Sequence, residues 1–342
     1  MLLIKPELAS NLDSLAAIQK ALRYAIELEH ATIPPYLYAM YSLGTDNQNV
    51  AGIIGSVVGE EMAHFALACN ILNAIGGQPA IDSPKFIPTY PGPLPATVES
   101  GLKVPLAPAS KKLVEKVFMT IEEPEDPPDI PHHGVTAMAS GRPLTIGLFY
   151  HRIKAAIEDV SSRGNIFTGD HALQVTHHFA TAEVVPVYSV GDASSAIDLI
   201  VEQGEGTHTS PLEGDELAHF FRFREIVEGY QLVPAPGAHP PWRFDGPPIP
   251  FAENKVLDVI ENPKTSKYPA GSAARIRCQT FNYTYTNLLK VLHDTFNGHP
   301  DRLPTAIGLM ESLNEQAQAL MATDSELGAK KAGPSFEYQL TN

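Results

Sequence analysis

The sequence predicts an all-α protein with a bundle of four helices, long proline-rich loops and extra helices towards the C-terminus. Three observations predict this class. Apolar residues recur with helical spacing in several long segments, Glu-x-x-His occurs twice on such segments, and proline is concentrated in the stretches between them. The chain has 342 residues, of which 44% are hydrophobic, and this is enough for a substantial core.

The first helix is predicted over 11–41, where apolar residues recur every three or four positions. Pro34 and Pro35 fall inside this segment. We expect them to kink the helix, because each lacks an amide hydrogen and crowds the carbonyl four residues earlier. Thr32 is a candidate to bond one of the carbonyls that the two prolines leave free.

The second helix is predicted over 50–75, and the glycine pair at 76–77 marks its end. The following stretch, 78–141, is dense in proline, with one short helix predicted near 111–121. A proline-rich segment of this length inside a domain more often covers a functional site than serves as a linker. We therefore expect it to shield a site.

The same spacing rules apply to the rest of the chain. They predict helices over 146–160, 194–204, 215–230, 281–292 and 304–322, an extended segment over 182–190, and a second proline-rich loop over 231–250. These elements predict a single domain over 1–342. Its bundle core lies near 11–76 and 144–230, and its C-terminal helical extension lies near 275–325.

Charge and cysteine content narrow the functional classes. The net charge of −15 argues against nucleic acid and anionic membranes as partners, because both would repel the chain, and leaves a small neutral or cationic ligand. Cys69 and Cys278 are too few for a disulfide framework, so we expect core residues in a reducing compartment. Without a signal peptide or a run of ~20 apolar residues, the chain is predicted to be soluble and cytoplasmic. A homo-oligomer is an open alternative.

Candidate metal ligands lie on the apolar stripes of the first two helices. In the first helix Glu29 lies on the stripe, whereas Glu27 lies about 200° away around the axis. In the second helix the stripe includes Glu61 and His64 and excludes Glu60. Buried carboxylates of this kind need partners, because a lone charge in apolar surroundings is costly.

The Glu-x-x-His motif returns at Glu216 and His219, with the same alanine and phenylalanine neighbours as the first copy. Residues i and i+3 of a helix share a face, so one carboxylate and one imidazole can converge on one ion. The preceding helix carries an acidic stripe on which Glu202 is the preferred fourth carboxylate and Glu205 the second choice. A solvated acidic face is an equally weighted interpretation of that stripe. Two such motifs with a Glu from each of two other helices form the ligand set of ferritin-like di-iron proteins, which predicts one or two iron ions.

Other polar residues have simpler interpretations. A single Glu-x-x-His is most often a pair of surface residues. The second copy on an apolar stripe favours metal ligands instead. The doublets at 132–133 and 177–178 are histidines that we expect to be hydrogen-bonded in loops. Tyr36, two turns beyond Glu29, is the tyrosine best placed to bond a metal ligand.

The chain resembles the ferritin-like domain family of iminophenyl-pyruvate dimer synthases from bisindole pigment pathways. The phrases that carry the resemblance are ELEHATIPPYLYA at 27–39, EEMAHFALACNILNAIGGQP at 60–79, IGLFY at 146–150, IVEQGEGT at 200–207, AHFFRF at 218–223 and GPSFEY at 333–338. The resemblance implies a ferritin-like four-helix bundle with a metal centre, and, in the namesake enzymes, oxidative coupling of two amino-acid-derived imines. The matched phrases imply metal ligands at Glu29, Glu61, His64, Glu202 and His219, and the internal echo adds Glu216. The namesake synthases are much larger than this chain.

Three functions compete at this point. The first is a metal-dependent oxidase or oxygenase that uses dioxygen and a small amino-acid-derived metabolite, since carboxylate-rich sites suit iron. The second is iron handling, which predicts a cage-like assembly. The third is a structural bundle that has lost its chemistry. The absence of a Glu at Leu148, within the helix at 146–160, slightly favours fewer ligands than a full di-iron set.

Overall fold

A computed structural model describes residues 2–98, 101–124, 144–179, 182–205, 210–213, 216–238 and 241–340. Three consecutive segments, Lys111–Leu113, the π-helical Val114–Phe118 and Met119–Ile121, are here called α3. The other helices of the described residues are α1 (Leu15–Tyr41), α2 (Gln48–Ala74), α4 (Ile146–Ser162), α5 (Val190–Glu205), α6 (His219–Glu228), α7 (Ala273–Phe296) and α8 (Leu303–Met321). Each segment predicted to be helical overlaps one of these helices.

The fold is mostly helical rather than all-α. The described residues include three antiparallel pairs of short strands: β1 (His177–Phe179) with β2 (Ala182–Val184), β3 (Leu212–Glu213) with β4 (Glu216–Leu217), and β5 (Tyr230–Pro234) with β6 (Trp242–Pro248). The prediction of a loop over 231–250 was wrong, because β5 and β6 form a hairpin there. The doublet at 177–178 lies on β1, and the doublet at 132–133 lies outside the described residues.

The two prolines of α1 are accommodated inside the helix. Pro35 has no amide hydrogen for the carbonyl of Ala31, and the hydroxyl of Tyr90 donates to that carbonyl at 2.6 Å instead. The expectation for Thr32 was wrong in detail. Its hydroxyl lies 2.8 Å from the carbonyl of Glu29, which is not one of the two that the prolines leave free.

Local signals set several helix ends. The hydroxyls of Ser14, Thr145 and Ser272 cap α1, α4 and α7 by accepting a backbone N–H from three residues ahead. Gly76 follows the end of α2 with a φ of 71°, a conformation that glycine adopts without strain, as the glycine pair predicted.

The helices enclose one main hydrophobic core. Helix α1 packs along α2 and α4, and α5 packs on both α2 and α4. Helix α6 contacts α2, α3 and α5 at one end of this group, while α7 and α8 pair with each other and contact α2 and α1 respectively. Helices α1 and α2 therefore lie between the C-terminal pair and the other helices, and side chains from all of them meet in the core.

Helix α2 is the most deeply embedded element. The segment Thr45–Ala74 is long and apolar enough to cross a membrane by length and composition, which the sequence analysis did not expect. In its most apolar window 61% of the residues are buried inside the protein, and Glu60, Glu61 and His64 are buried against other helices. Carboxylates buried against partners are typical of the core helix of a folded domain, so we interpret α2 in that way.

Candidate metal centre

Five buried side chains converge between α1, α2, α3 and α6. They are Glu29 from α1, Glu61 and His64 from α2, Glu122 from the residue after α3, and His219 from the first position of α6. They form two groups, each with its ligand atoms within 4.8 Å of one another, and Glu61 belongs to both. We call these five residues the carboxylate–histidine cluster.

His64 presents its Nδ1 to the carboxylates. Its Nε2 lies 2.9 Å from Oε1 of Gln203 on α5, so this nitrogen carries the ring proton and donates it to the amide oxygen. The Nδ1 lies 3.8 Å from Oε2 of Glu29 and 3.9 Å from Oε1 of Glu61. The free lone pair of His64 therefore faces the first group.

His219 is arranged in the same way towards the second group. Its Nε2 lies 2.9 Å from Oε2 of Glu60, and its Nδ1 lies 3.0 Å from Oε1 of Glu61 and 3.6 Å from Oε2 of Glu122. Although these oxygens are near, Nδ1 has no hydrogen-bond partner of suitable geometry and is shielded from solvent. The two imidazole rings are stacked with their centroids 5.4 Å apart, so both Nδ1 atoms serve one compact centre.

Behind His219, a chain of ion pairs leads to the surface. Glu60 is fully buried and accepts a hydrogen bond of 2.8 Å from Nη1 of Arg222, whose Nη2 lies 3.1 Å from Oε2 of the partly exposed Glu216. Burial alone would raise the pKa of Glu60, but its hydrogen bond with His219 and the charge of Arg222 outweigh burial and lower the pKa to about 2. Glu60 is therefore an ionised carboxylate that orients the imidazole of His219.

Each carboxylate of the cluster also accepts a hydrogen bond from a hydroxyl. Tyr150 of α4 donates to Oε1 of Glu29 at 2.6 Å, and Thr32 lies 2.7 Å from Oε2 of Glu61. Tyr36 donates to Oε1 of Glu122, so this tyrosine does bond a member of the cluster. These contacts fix the orientation of each carboxylate and leave its other oxygen free to face the cluster.

The electrostatics of the cluster call for a cation. Burial and the neighbouring Glu61 raise the pKa of Glu29 to about 8, and burial together with Glu122 raises the pKa of Glu61. Burial lowers the pKa of His64, whereas the nearby carboxylates of Glu122, Glu60 and Glu61 outweigh burial and raise the pKa of His219. Three carboxylates at this separation are costly when ionised without a positive ion. Carboxylate oxygens and imidazole nitrogens suit iron, manganese or zinc, and the unpartnered Nδ1 of His219 fits such an ion.

Four of the six side chains predicted as ligands are brought together: Glu29, Glu61, His64 and His219. The other two, Glu202 and Glu216, are not in the cluster. On α5 the buried position is taken by Gln203, and because successive helical residues are ~100° apart, Glu202 lies on a partly exposed face. The side chain of Glu205 lies outside the described residues.

Glu216 is displaced for a different reason. The prediction of one helix over 215–230 was wrong at its start, because α6 begins at His219 and Glu216 lies on strand β4. The rule that i and i+3 side chains share a face therefore does not apply to this copy of the motif. Glu216 pairs with Arg222 instead.

Sequence reasoning missed two carboxylates and one amide. Glu60 was excluded because α2 was treated as a helix with one apolar stripe, whereas the chain from Ala63 to Ile75 is apolar almost all round, which indicates burial on several faces. Glu122 lies one residue beyond the helix predicted at 111–121, inside the proline-rich stretch. The available signal was an acidic residue in a segment that was expected to shield a site. No signal in the sequence distinguishes Gln203 from its neighbours.

The space beside the cluster is small and lined by apolar side chains. A cavity of about 30 Å³ touches Glu29, Glu61, His64 and Glu122, and its apolar wall is formed by Leu28, Ile121, Ile146, Ile200 and Val201. This volume is enough for a water molecule or a diatomic gas. The wall keeps bulk water away from the carboxylates and strengthens their interactions.

Three comparisons relate this chain to known proteins. A family model described as Ferritin-like matches residues 22–228. Dichlorochromopyrrolate synthase of Lentzea aerocolonigenes is 26% identical across 93% of this chain, and the chain spans 35% of the length of that enzyme. A solved structure of a ferritin like protein from Caulobacter vibrioides has a TM-score of 0.60 and 22% identity, and the match covers 95% of this chain and 99% of that chain. At this identity the solved structure indicates a shared fold and nothing further.

Proposed function

We propose that this chain, which belongs to the ferritin-like family, is a metal-dependent oxidase of the di-iron type that acts on a small amino-acid-derived metabolite. In this proposal α1, α2, α4 and α5 form a ferritin-like four-helix bundle within a single domain over 1–342. The observation that carries the proposal is the carboxylate–histidine cluster, with two groups of ligand atoms joined through Glu61.

The ligands divide between the two groups. Glu29, Glu61 and His64 would hold one ion, and Glu61, Glu122 and His219 would hold the other, with Glu61 shared. This set has one Glu-x-x-His helix pair rather than two, and Glu122 supplies the acid that a fourth bundle helix provides in other ferritin-like centres. The proposal therefore replaces Glu202 and Glu216 of the sequence-based ligand set.

Bound ferrous ions would supply the redox chemistry and the site at which dioxygen is reduced. The protein's own residues perform the remaining tasks. Gln203 and Glu60 hold the two imidazoles in the tautomer that exposes Nδ1. Tyr150 and Tyr36 hold the outer oxygens of Glu29 and Glu122. The apolar wall of the small cavity excludes water from the centre.

The substrate class rests on resemblance rather than on geometry. The resemblance to iminophenyl-pyruvate dimer synthases and the similarity to dichlorochromopyrrolate synthase support an oxidation of an amino-acid-derived molecule. The chain matches 35% of that relative, so we propose the oxidation step alone and not the coupling of two molecules. All five cluster residues come from one chain, so the centre needs no second subunit, whether the protein is a monomer or a homo-oligomer. We place the protein in the cytoplasm, where ferrous iron is available.

Metal loading tests the proposal directly. The full chain is purified without metal, titrated anaerobically with ferrous iron, and analysed for iron by mass spectrometry; we expect about two ions per chain. Exposure to air in the presence of candidate amino acids and their imines should then consume dioxygen in proportion to the substrate oxidised, measured with an oxygen electrode and by chromatography of the products.

Matched substitutions make the test specific to the cluster. Glu122→Gln should lower the iron content by about one ion per chain, because it removes one carboxylate from a three-ligand group. Glu202→Gln, an identical change on the partly exposed face of α5, should leave it unchanged. Failure of the wild-type protein to retain iron after anaerobic loading would refute metal binding. Iron retention without oxygen consumption would refute the oxidase and favour iron handling.

A further inference from the structure

A second, larger cavity lies on the other side of α1 and α2 from the cluster. It has a volume of about 300 Å³ and is enclosed by α1, α2, α7 and α8. No residue lines both this cavity and the small one beside the cluster. On α1 the wall includes His30, Ile33, Pro34, Leu37 and Tyr41, which lie on a face rotated by ~100° from the one that bears Glu29.

The lining is almost entirely apolar. Most of the wall is aliphatic or aromatic, including Phe65, Tyr285 and Phe296, and among the lining residues no lysine or arginine occurs. Glu311 and Asn314 are exposed and mark the end of the cavity that faces solvent. Protein interiors hold few voids larger than a water molecule, so a cavity of this size is expected to have an occupant.

One polar group in the wall lacks a partner. His30 is 95% buried, given its 5% exposure, and its Nδ1 has no hydrogen-bond partner and no contact with solvent. Its Nε2 lies 2.8 Å from the hydroxyl of Tyr285. His30 is one of the lining residues, and its unsatisfied Nδ1 carries the full cost of desolvation unless a bound molecule supplies the missing partner.

The hydrogen-bond count assigns the tautomer of His30. When Tyr285 donates to Nε2, the ring proton sits on Nδ1 and only this one N–H is unpartnered. When Nε2 donates instead, both the tyrosine hydrogen and the Nδ1 lone pair are left without partners. The first arrangement costs less, so Nδ1 is a hydrogen-bond donor.

We propose that this cavity binds a neutral, largely apolar molecule, about the size of a two-ring aromatic, which accepts one hydrogen bond from Nδ1 of His30. The size follows from comparison with apolar cavities of ~150 Å³, which bind benzene. A carbonyl is the simplest acceptor. An anion is disfavoured because the lining offers it no cation and places Glu311 at the open end. This site goes beyond the oxidase proposal and does not rest on it.

Three related compounds test the site: 2-acetylnaphthalene, naphthalene and 2-naphthoate. Binding to the full chain is measured by isothermal titration calorimetry, with and without ferrous iron, so that failure of metal binding does not affect the result. We expect 2-acetylnaphthalene to bind about fivefold more tightly than naphthalene, and 2-naphthoate to bind at least about tenfold more weakly than the ketone. Equal affinities for the ketone and the hydrocarbon, or no binding of either, would overturn the proposal.

Two substitutions locate the binding. His30→Phe should abolish the preference for the ketone and change the affinity for naphthalene by less than about twofold. Leu292→Trp fills the cavity from α7, which contributes no residue to the cluster, and should weaken both compounds by more than about tenfold, whereas Leu292→Met conserves volume and should change little. Binding that survives Leu292→Trp would contradict this location. Should His30→Phe fail to fold, the wild-type preference and the Leu292 pair still decide the outcome.

Discussion

The substitution Glu60→Gln isolates a residue that touches no proposed ion yet controls half of the centre. Glu60 accepts hydrogen bonds from Nε2 of His219 at 2.9 Å and from Nη1 of Arg222 at 2.8 Å, and it is fully buried. Glutamine keeps the shape of the side chain and one acceptor oxygen but removes the charge. Only one of the two donors can then be satisfied at full strength.

The cost of this change follows from two independent lines. The shift of the Glu60 pKa from 4.5 to about 2 corresponds to about 3 kcal/mol in favour of the ionised form, at ~1.4 kcal/mol per unit. Removing one partner of a buried ion pair costs about 3–5 kcal/mol in general. Here Arg222 keeps Glu216 as a second partner, at 3.1 Å, which reduces the loss. We therefore expect Glu60→Gln to lower the free energy of unfolding by about 2–4 kcal/mol.

Iron binding should respond at one of the two groups only. Loss of the carboxylate that orients a ligand histidine typically weakens metal affinity by about 10–100-fold. In Glu60→Gln we expect that loss for the ion held by His219 and Glu122, and an unchanged affinity for the ion held by His64 and Glu29. Urea unfolding followed by circular dichroism measures the stability, and anaerobic ferrous titration measures the two affinities.

The control is again Glu202→Gln, which makes the same chemical change on a partly exposed surface and should stay within about 0.5 kcal/mol of the wild-type stability. The reasoning would be refuted by a Glu60→Gln protein that unfolds like the wild type and binds both ions with wild-type affinity. Equal weakening of both ions would also contradict it, because it would show that Glu60 acts on the whole cluster rather than through His219.

Three further changes test other parts of the structure. Tyr150→Phe removes the 2.6 Å hydrogen bond to Glu29 and should weaken ferrous binding several-fold, whereas Tyr283→Phe on the exposed face of α7 should not; equal titrations would contradict the role of Tyr150. Asn70→Ala removes the three hydrogen bonds that the fully buried Asn70 amide makes with the chain between α4 and α5, two of them donated and one accepted. We expect the free energy of unfolding in urea to fall by about 3 kcal/mol, and a fall below about 1 kcal/mol would contradict this. Burial alone would raise the pKa of Glu337, but its hydrogen bonds outweigh burial and lower the pKa below its ordinary value of 4.5. The ionised carboxylate therefore stabilises the fold above pH 4.5, and this stabilisation is lost as the pH falls through the lower pKa of the folded state. Glu337→Gln should therefore cost about 1 kcal/mol at pH 7 and progressively less below pH 4.5, and a cost independent of pH would exclude the mechanism.

The helices were accessible to sequence reasoning because each buries a stripe that repeats every 3.6 residues. This holds for α1, α7 and α8, whereas α2 is also buried on other faces. Helix α8 agrees closely with the predicted segment 304–322, and α7 extends beyond the predicted segment 281–292 at both ends. The hairpin of β5 and β6 was missed because prolines and polar residues conceal its alternation. Short strands of this kind are stabilised by pairing across the hairpin, which a local pattern does not record.

The residues of the candidate site differ in the same way: some depend on local helical geometry and others on contacts between distant segments. Glu29, Glu61 and His64 were predicted because their positions depend only on helical geometry within α1 and α2. The helical position predicted for Glu216 was wrong, because the identity of a motif does not show whether both of its residues lie on one helix. The start of α6 at His219 depends on the short β3 and β4 pair before it, and the sequence analysis did not predict that turn of the chain.

Glu122 shows most clearly what local patterns leave out. Its place in the cluster depends on α3 lying against α6 and on the hydroxyl of Tyr36, which comes from α1. The π-helical turn at Val114–Phe118 lies just before it, and such turns insert an extra residue and change which side chains face inward, often at functional sites. The proline-rich stretch was expected to cover a site. The part of that stretch that the structure describes supplies a carboxylate of the second group, so the second group cannot form without it.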